Sequence, residues 1–299
     1  MPPRYRHVPV VVNPASGPDR PVLKVLNQVF RATGVDWDIH LTKRAGDAER
    51  WARELADSGA EVVAVYGGDG TVKEVARALI GRETPLAIFP GGTGNALAVE
   101  LDLPLNLAQA VELVCGAPSA VRLVDMGQIG EHMFVLRASM GFEAELLRAT
   151  ARELKDRLGQ LAYPLAALQQ LIGDQPTTSY RITLDGQEVE TEGVQCTIAN
   201  STQMGVSGMR LAQGASVSDG LLDVIVLTSV DFLALAEIAT SNLAEVDLGI
   251  EVRHWQGRLI TIAADPPQAV ALGGDVIAQT PVTARVLPGA IRVIVPDAS

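Results

Sequence analysis

Three short turns rich in glycine and small polar residues constrain this chain more than any other feature. Each follows an apolar run. Asn13-Pro14-Ala15-Ser16-Gly17 follows Val8-Pro9-Val10-Val11-Val12, Gly67-Gly68-Asp69-Gly70-Thr71 follows Val62–Tyr66, and Gly91-Gly92-Thr93-Gly94-Asn95 follows Leu86–Phe89. Positions 67 and 91 are 24 residues apart, about the length of one strand–helix–strand unit. Continuous apolar strands alternating with helical stretches predict a parallel sheet covered on both faces. In such a sheet the turns gather at the carboxyl ends of neighbouring strands, where ligands bind. Glycine lets backbone approach a ligand closely, and helix amino-termini offer unpaired N–H groups to an anion. The first expectation is therefore one site built from three phosphate-cradling loops.

Composition excludes other classes of function. With 24 Lys and Arg against 35 Asp and Glu, the net charge is −11. Nucleic-acid binding is not expected, because it needs a basic face. The two cysteines, Cys115 and Cys196, are too few for a disulfide scaffold or a thiolate metal site. Cys196 alternates with apolar neighbours and reads as a buried strand thiol. Met1-Pro2-Pro3 lacks the apolar core of a secretory signal, and no apolar run reaches the roughly 18–20 residues that span a bilayer. A cytoplasmic protein that touches membranes only transiently is expected.

Along the first half, Val22–Phe30 and Ala45–Ser58 read as helices and Trp37–Leu41 as a strand. Near Val121 the character changes to short alternating segments punctuated by Gly and Asp. Asp185-Gly186 between two such segments is a hairpin signal. The fold expected has two domains. Residues 1–124 form an α/β three-layer unit with a Rossmann-like parallel sheet. Residues 125–299 form a mainly-β sandwich with a helical insert from about Glu143 to Ile172, the last strand being free to return to the first domain. The histidines are scattered and read as structural or exposed, and the tryptophans as core residues.

There is no Gly-x-x-x-x-Gly-Lys-Ser/Thr, so this is not a P-loop chain, and no Gly-x-Gly-x-x-Gly follows the first strand. Taken alone, Asp69 reads equally as a helix amino-cap and the glycines as turn chemistry.

Together, Val11–Gly17, Gly67–Val75, Pro90–Asn95, Val124–Gly127, Ala138–Phe142, Leu154–Gly159, Ile198–Asn200, Asp219–Asp223 and Thr280–Ala290 resemble the lipid kinases of the diacylglycerol kinase and sphingosine kinase type, in their bacterial soluble branch. The resemblance covers nearly the whole chain in order. It implies ATP bound on the first domain, with Asn13 and Ser16 near phosphates and Thr42 near the nucleotide. Gly67, Gly68, Asp69, Gly70, Thr71, Val72 and Lys73 would wrap the phosphates, and Gly92, Thr93 and Asn95 would complete the pocket. Glu74 follows on the same helix, where a dipole-stabilising surface carboxylate is the other reading. The resemblance further implies a Mg²⁺ site from the Asp219 carboxylate and the carbonyls of Ser216 and Leu221, an oxygen set suited to a hard cation. Asp219 also fits a plain turn before Gly220.

Phosphoryl transfer needs charge neutralisation and alignment of the attacking oxygen. Arg20, Lys155 and Arg157 stand where cations would help, although each also fits a solvated surface. The family usually carries an Asp-Gly-Glu turn implicated in deprotonating the lipid hydroxyl. Here it reads Gly273-Gly274-Asp275, so Asp275 is the expected base, with Asp69 as the second catalytic carboxylate. A simple hairpin-turn role for Asp275 is the alternative. Lys73 stands where Asn is common, Ala96 where many relatives have Asp, and Met204–Gly208 is less glycine-rich than usual. The apolar spacing of Leu158–Leu171 suits either a lipid groove or a helix packed on the sandwich.

The reaction expected is ATP-dependent phosphorylation of a hydroxyl on a lipid such as diacylglycerol, with the lipid in the interdomain cleft. A homodimer is implied by the resemblance. The rivals are an enzyme like the NAD kinases acting on a soluble acceptor, and a non-catalytic nucleotide- or lipid-binding homologue decayed at Gly273.

Overall fold

The computed structural model describes residues 4–17, 21–141, 177–201, 216–229, 251–273 and 275–297. The expected helical insert, Arg20, Lys155, Arg157, the Leu158–Leu171 stretch and Met204–Gly208 lie outside them.

Four parallel strands open the fold: β1 (His7–Val12), β2 (Asp36–Leu41), β3 (Val63–Gly67) and β4 (Leu86–Pro90), in spatial order β2-β1-β3-β4. Every residue of β3 and β4 is buried, as an unbroken apolar run requires when both sheet faces are covered. The covering helices are α1 (Val22–Thr33), α2 (Asp47–Asp57), α3 (Asp69–Ala78), the short α4 (Ala96–Glu100) and α5 (Leu107–Cys115). Helix α1 packs beside α5, and α2 beside α3. Helix α1 buries Leu26 and Phe30 on its apolar stripe and stops at Gly34, whose φ of 70° lets its N–H reach back to the Phe30 carbonyl. The strand order reverses between β1 and β3, which opens a crevice beyond their carboxyl ends.

The remaining described strands pair antiparallel with one another and build a sandwich. They are β5 (Ser119–Ile129), β6 (His132–Phe134), β7 (Arg137–Gly141), β8 (Thr178–Leu184), β9 (Gln187–Gly193), β10 (Gln195–Ala199), β11 (Leu222–Ser229), β12 (Glu251–Gly257), β13 (Leu259–Asp265), β14 (Ala269–Leu272), β15 (Asp275–Gln279) and β16 (Val282–Pro296). One sheet runs β12-β11-β10-β7-β14-β15. It faces β8, β13 and β16 across a core that includes Met140, Tyr180, Ile182, Cys196, Ile198 and Ile260. Burial pushes the Cys196 thiol far above its ordinary pKa and also raises that of Cys115, so neither is a poised nucleophile. Asp185 and Gly186, at φ 49° and 91°, make the two-residue β8–β9 turn with both residues left-handed, as the Asp-Gly pair predicts.

The two halves share one sheet. β16 pairs antiparallel with β5 along both halves and touches β4 in parallel at Val293 and Leu86. Its Val282, Ala284 and Val286 belong to the sandwich core, and its Ile291, Val293, Ile294 and Val295 to the first core. The 124/125 boundary falls inside β5. Between Leu287 and Ile291 the β5–β16 register shifts, and Gly289 there adopts φ 55°. That irregularity lies opposite Asp125.

Candidate active site

The four parallel strands end level with one another: Val12 is registered with Leu41 and Tyr66, and Gly67 with Pro90. Thr42, Asn13, Gly67-Gly68 and Gly91-Gly92 therefore line one edge. The Thr42 amide donates to the Val12 carbonyl at 2.9 Å, and the buried Thr42 closes the β2 end of this row.

The three turns are tied directly to one another. Asn13 Nδ2 donates to Thr71 Oγ1 at 2.9 Å, while Asn13 Oδ1 accepts the Ala15 amide at 3.0 Å and closes its own turn. Ser16 Oγ accepts the Gly68 amide at 3.2 Å, and the Gly91 amide donates to the Gly67 carbonyl at 2.9 Å. Asn95 sits at φ 49°, a conformation asparagine tolerates, and clamps its turn by accepting from Gly92 N and donating to Gly92 O at 2.9 and 2.8 Å. Asp69, the first residue of α3, accepts the Ala96 amide at 2.7 Å through Oδ1. That carboxylate therefore bolts the third turn to the second. Thr93 is exposed beside it, and Val72 is buried behind the loop.

Contact distances show which glycines the scaffold itself demands. A Cβ on Gly17 would lie 1.9 Å from the Gly91 carbonyl oxygen, and one on Gly92 2.6 Å from Gly68 Cα. These positions must be bare for the turns to meet. Gly70 is different. It has helical geometry at the start of α3, and a Cβ there would meet nothing within 4 Å. Neither strain nor packing explains that glycine, whereas a ligand lying against the first turn of α3 would. An amide-lined cradle at a helix amino-terminus suits a polyphosphate.

Two further positions on α3 take different parts. Lys73 is half-buried and makes no ion pair among the described residues. It stands one turn beyond Asp69 on the same face, and helical side chains lean back toward the amino-terminus. Glu74, which the resemblance puts beside the phosphates, is spent elsewhere. Its oxygens accept the amides of Gly46 and Ala48 at 3.0 and 3.2 Å, capping the start of α2. The helix start it stabilises is that of α2, not of α3, on which it lies. Asp47, the first residue of α2, accepts the amides of Lys43 and Arg44 in the preceding segment, and the Lys43 amide foremost holds its carboxyl below the ordinary carboxylate range.

The second half supplies two more candidates. Ser216, Asp219 and Leu221 share the loop leading into β11, where Asp219 Oδ1 accepts the Leu221 amide at 2.9 Å. Among the described residues no three His, Cys, Asp or Glu side chains converge on a metal position, so any cation here would rely on main-chain oxygens as well. Asp275 is exposed and opens β15 directly after the turn that leaves β14. In the sheet, Asp223 pairs with Ala199, Ala199 with Arg137, and β14 lies next to β7. The Asp275 turn and the Ser216–Leu221 loop therefore lie at one end of the sheet, together with Asn200 and Ser201.

Sequence reading assigned no role to Asp125, and its burial shows one. Its Oδ2 accepts the Gly220 amide at 2.7 Å and its Oδ1 the Gly289 amide at 2.6 Å. It thus secures the Asp219 loop to the β16 irregularity. Only its place in Val124–Gly127 marked it in the sequence. Asp223 is fully buried beside His254 Nε2 at 2.6 Å and Gln256 Nε2 at 3.0 Å, with Oδ2 unpartnered among the described residues. Burial raises its pKa against the opposing pull of His254.

Comparison with known proteins identifies the family and the fold. Residues 7–129 match the diacylglycerol kinase catalytic domain, and residues 137–295 match the YegS C-terminal NAD kinase beta sandwich-like domain. A Pseudomonas fluorescens protein named "Probable lipid kinase YegS-like" is 32% identical over 275 residues, covering 90% of this chain and 89% of its own length. The chain belongs to the YegS-like lipid kinase family. A Stenotrophomonas maltophilia member of the same name is 30% identical, with 89% of each chain covered. An uncharacterized Synechocystis protein, sll0036, is 33% identical over 89% of this chain, which spans only 63% of that relative. The solved structure of a candidate diacylglycerol kinase from Bacillus anthracis superposes with a TM-score of 0.79 at 28% identity, covering 99% of both chains. Among the described residues no helix of this YegS-like family member is long and apolar enough to cross a membrane.

Proposed function

We propose that the chain transfers the γ-phosphoryl group of ATP to a hydroxyl of a lipid such as diacylglycerol. The observation that carries this reading is Gly70, bare without internal cause at the mouth of three turns that are bonded into one cradle. The first amides of α3, from Asp69 to Thr71, and those of Thr93 and Gly94 would bind the phosphate oxygens, and Lys73 would neutralise part of their charge. Asn13, Ser16 and Thr42 hold the cradle and its nucleotide side in shape. The lipid oxygen attacks the γ-phosphorus, the bond to the β-phosphate oxygen breaks, and ADP leaves. The acceptor's proton passes to a carboxylate, for which Asp275 is our candidate; Asp69 spends one oxygen on Ala96 and keeps the cradle closed.

The donor set at the Asp219 loop, one carboxylate and the Ser216 and Leu221 carbonyls, consists of oxygens alone and fits Mg²⁺. When bound, that ion would supply positive charge at the acceptor half. The lipid would reach the cleft through transient contact with a membrane surface.

The test is direct. Purified protein with MgATP and dioleoylglycerol micelles should yield phosphatidic acid, and Asp69→Ala and Asp275→Asn should each remove turnover. Asp275→Asn should leave ATP affinity unchanged. Because the second half matches a NAD kinase-like sandwich, NAD serves as the rival acceptor. NADP formation in place of a phosphorylated lipid would overturn the lipid assignment.

A further inference from the structure

The short helix α4 spans the seam between the two halves. Its first amide, that of Ala96, is held by Asp69 in the second turn. At its other end the Glu100 carboxylate Oε2 accepts the hydroxyl of Ser201, which is buried just beyond β10. Five residues of helix rise only about 7.5 Å, so α4 is a stiff strut between these two bonds. Beyond Ser201 the connection continues through Asn200, which is wholly buried. Its amide donates to the Leu136 carbonyl at 2.7 Å, and its Nδ2 donates to the Asp125 and Val135 carbonyls at 2.8 and 2.9 Å. The Asp125 side chain then holds Gly220 in the candidate metal loop and Gly289 in β16.

Asn200 makes these bonds while its Oδ1 stays buried without a partner among the described residues. A buried polar atom left unsatisfied is costly, and an apolar side chain would avoid that cost. The residue's value lies in the two carbonyls it gathers. A contiguous set of bonds therefore joins Asp69, through Glu100 and Ser201, to the loop that bears Asp219.

Building on the kinase reading, we propose that Glu100 and Ser201 form an interdomain latch. They are positioning residues that fix the cradle of the first half relative to the acceptor-side groups of the second. Neither needs to touch a substrate. Their effect falls on alignment, to which transfer chemistry is steeply sensitive, since a displacement of about 1 Å can cost roughly a hundredfold in rate. ATP bound wholly to the first half is insensitive to the latch.

The experiment is a double-mutant cycle of Glu100→Ala and Ser201→Ala, with Ser201→Thr as the conservative variant. It is run with MgATP and dioleoylglycerol micelles. Each alanine variant should lower kcat about tenfold or more, in line with loss of a hydrogen bond to a charged group, while the Kd for ATP stays within about twofold. The double variant should be no worse than the weaker single one, and Ser201→Thr should retain most of the rate. Multiplicative losses in the double variant, an unchanged kcat, or parallel losses of kcat and ATP affinity would each overturn the latch. Hydrogen exchange without substrates separates this proposal from the kinase reading. Glu100→Ala should speed exchange both in α4 and at the Asn200 amide. Faster exchange confined to α4 refutes the latch, whereas a wild-type protein that phosphorylates no lipid refutes the enzyme assignment alone.

Discussion

Replacing Gly70 by alanine separates a glycine kept for a ligand from one kept for the fold. The position is helical, and a Cβ there has no neighbour within 4 Å. Alanine is preferred to glycine inside a helix by about 0.5–1 kcal/mol, so the free protein should become more stable. For a chain of this size that corresponds to a melting temperature higher by about 1–4 °C. The added methyl group would occupy the space through which a phosphate oxygen must come within about 2.7–3.2 Å of the α3 amides. Losing one charge-assisted hydrogen bond is worth roughly 1.5–3 kcal/mol, or about a 10- to 150-fold weaker Kd. Calorimetric titration with a non-hydrolysable ATP analogue and Mg²⁺ measures the second effect, and thermal unfolding the first. Gly34→Ala is the control for backbone strain alone. Its φ is 70° with open space around it, so it should cost about 1–2 kcal/mol and leave nucleotide affinity intact. Gly17→Ala should damage stability and affinity together, because its methyl would collide with the Gly91 carbonyl. A Gly70→Ala protein that melts higher yet binds nucleotide as well as wild type would refute the cradle.

Glu74→Ala should destabilise the fold by about 1–2 kcal/mol through loss of the α2 cap, with ATP Kd unchanged; a tenfold weaker Kd would return Glu74 to the nucleotide site. The Arg258 amide foremost, then that of Leu259, holds the Asp185 carboxyl below its ordinary pKa, so the unfolded chain binds that proton more readily than the native one. The resulting stabilisation is complete above the unfolded carboxylate value of about 3.9 and is lost as pH falls through the lower native value. Urea midpoints at about pH 7 and pH 3 should therefore differ less in Asp185→Asn than in wild type, and equal differences would remove Asp185 from the acid response. Gly273 lies at φ 57° with open space around it, and aspartate is among the few residues that tolerate this conformation. Gly273→Asp should fold with wild-type cooperativity and raise lipid turnover; a drop in turnover would show that the second carboxylate has no place here.

Strands β3 and β4 were legible because each is an uninterrupted apolar run that leads into a glycine pair, a pattern with few other meanings. The Asp185-Gly186 turn was legible because both of its residues must take positive φ. Glu74 was ambiguous in sequence: its neighbours along the chain belong to the second turn, whereas its partners, Gly46 and Ala48, lie at the start of another helix. Asp125, Asn200 and Glu100 carried no local signal of their roles either. What each does is set by groups far away in the chain, Gly220 and Gly289 for Asp125, Val135 and Leu136 for Asn200, and Ser201 for Glu100, and no periodicity or motif records such distant pairings. The passage of β5 through both cores was hidden likewise, since Val124 and Met126 of the first core and Ile129 of the second lie on one continuous strand.

The long final strand has a consequence for how the molecule comes into being. Ile291, Val293, Ile294 and Val295 fill a hole in the core that β1, β3 and β4 begin. On the ribosome, the first half must therefore wait, unsealed, until residues 291–295 have emerged. Cutting the gene between the two halves would leave a front piece without its keystone, and a back piece carrying a ribbon with nowhere to dock.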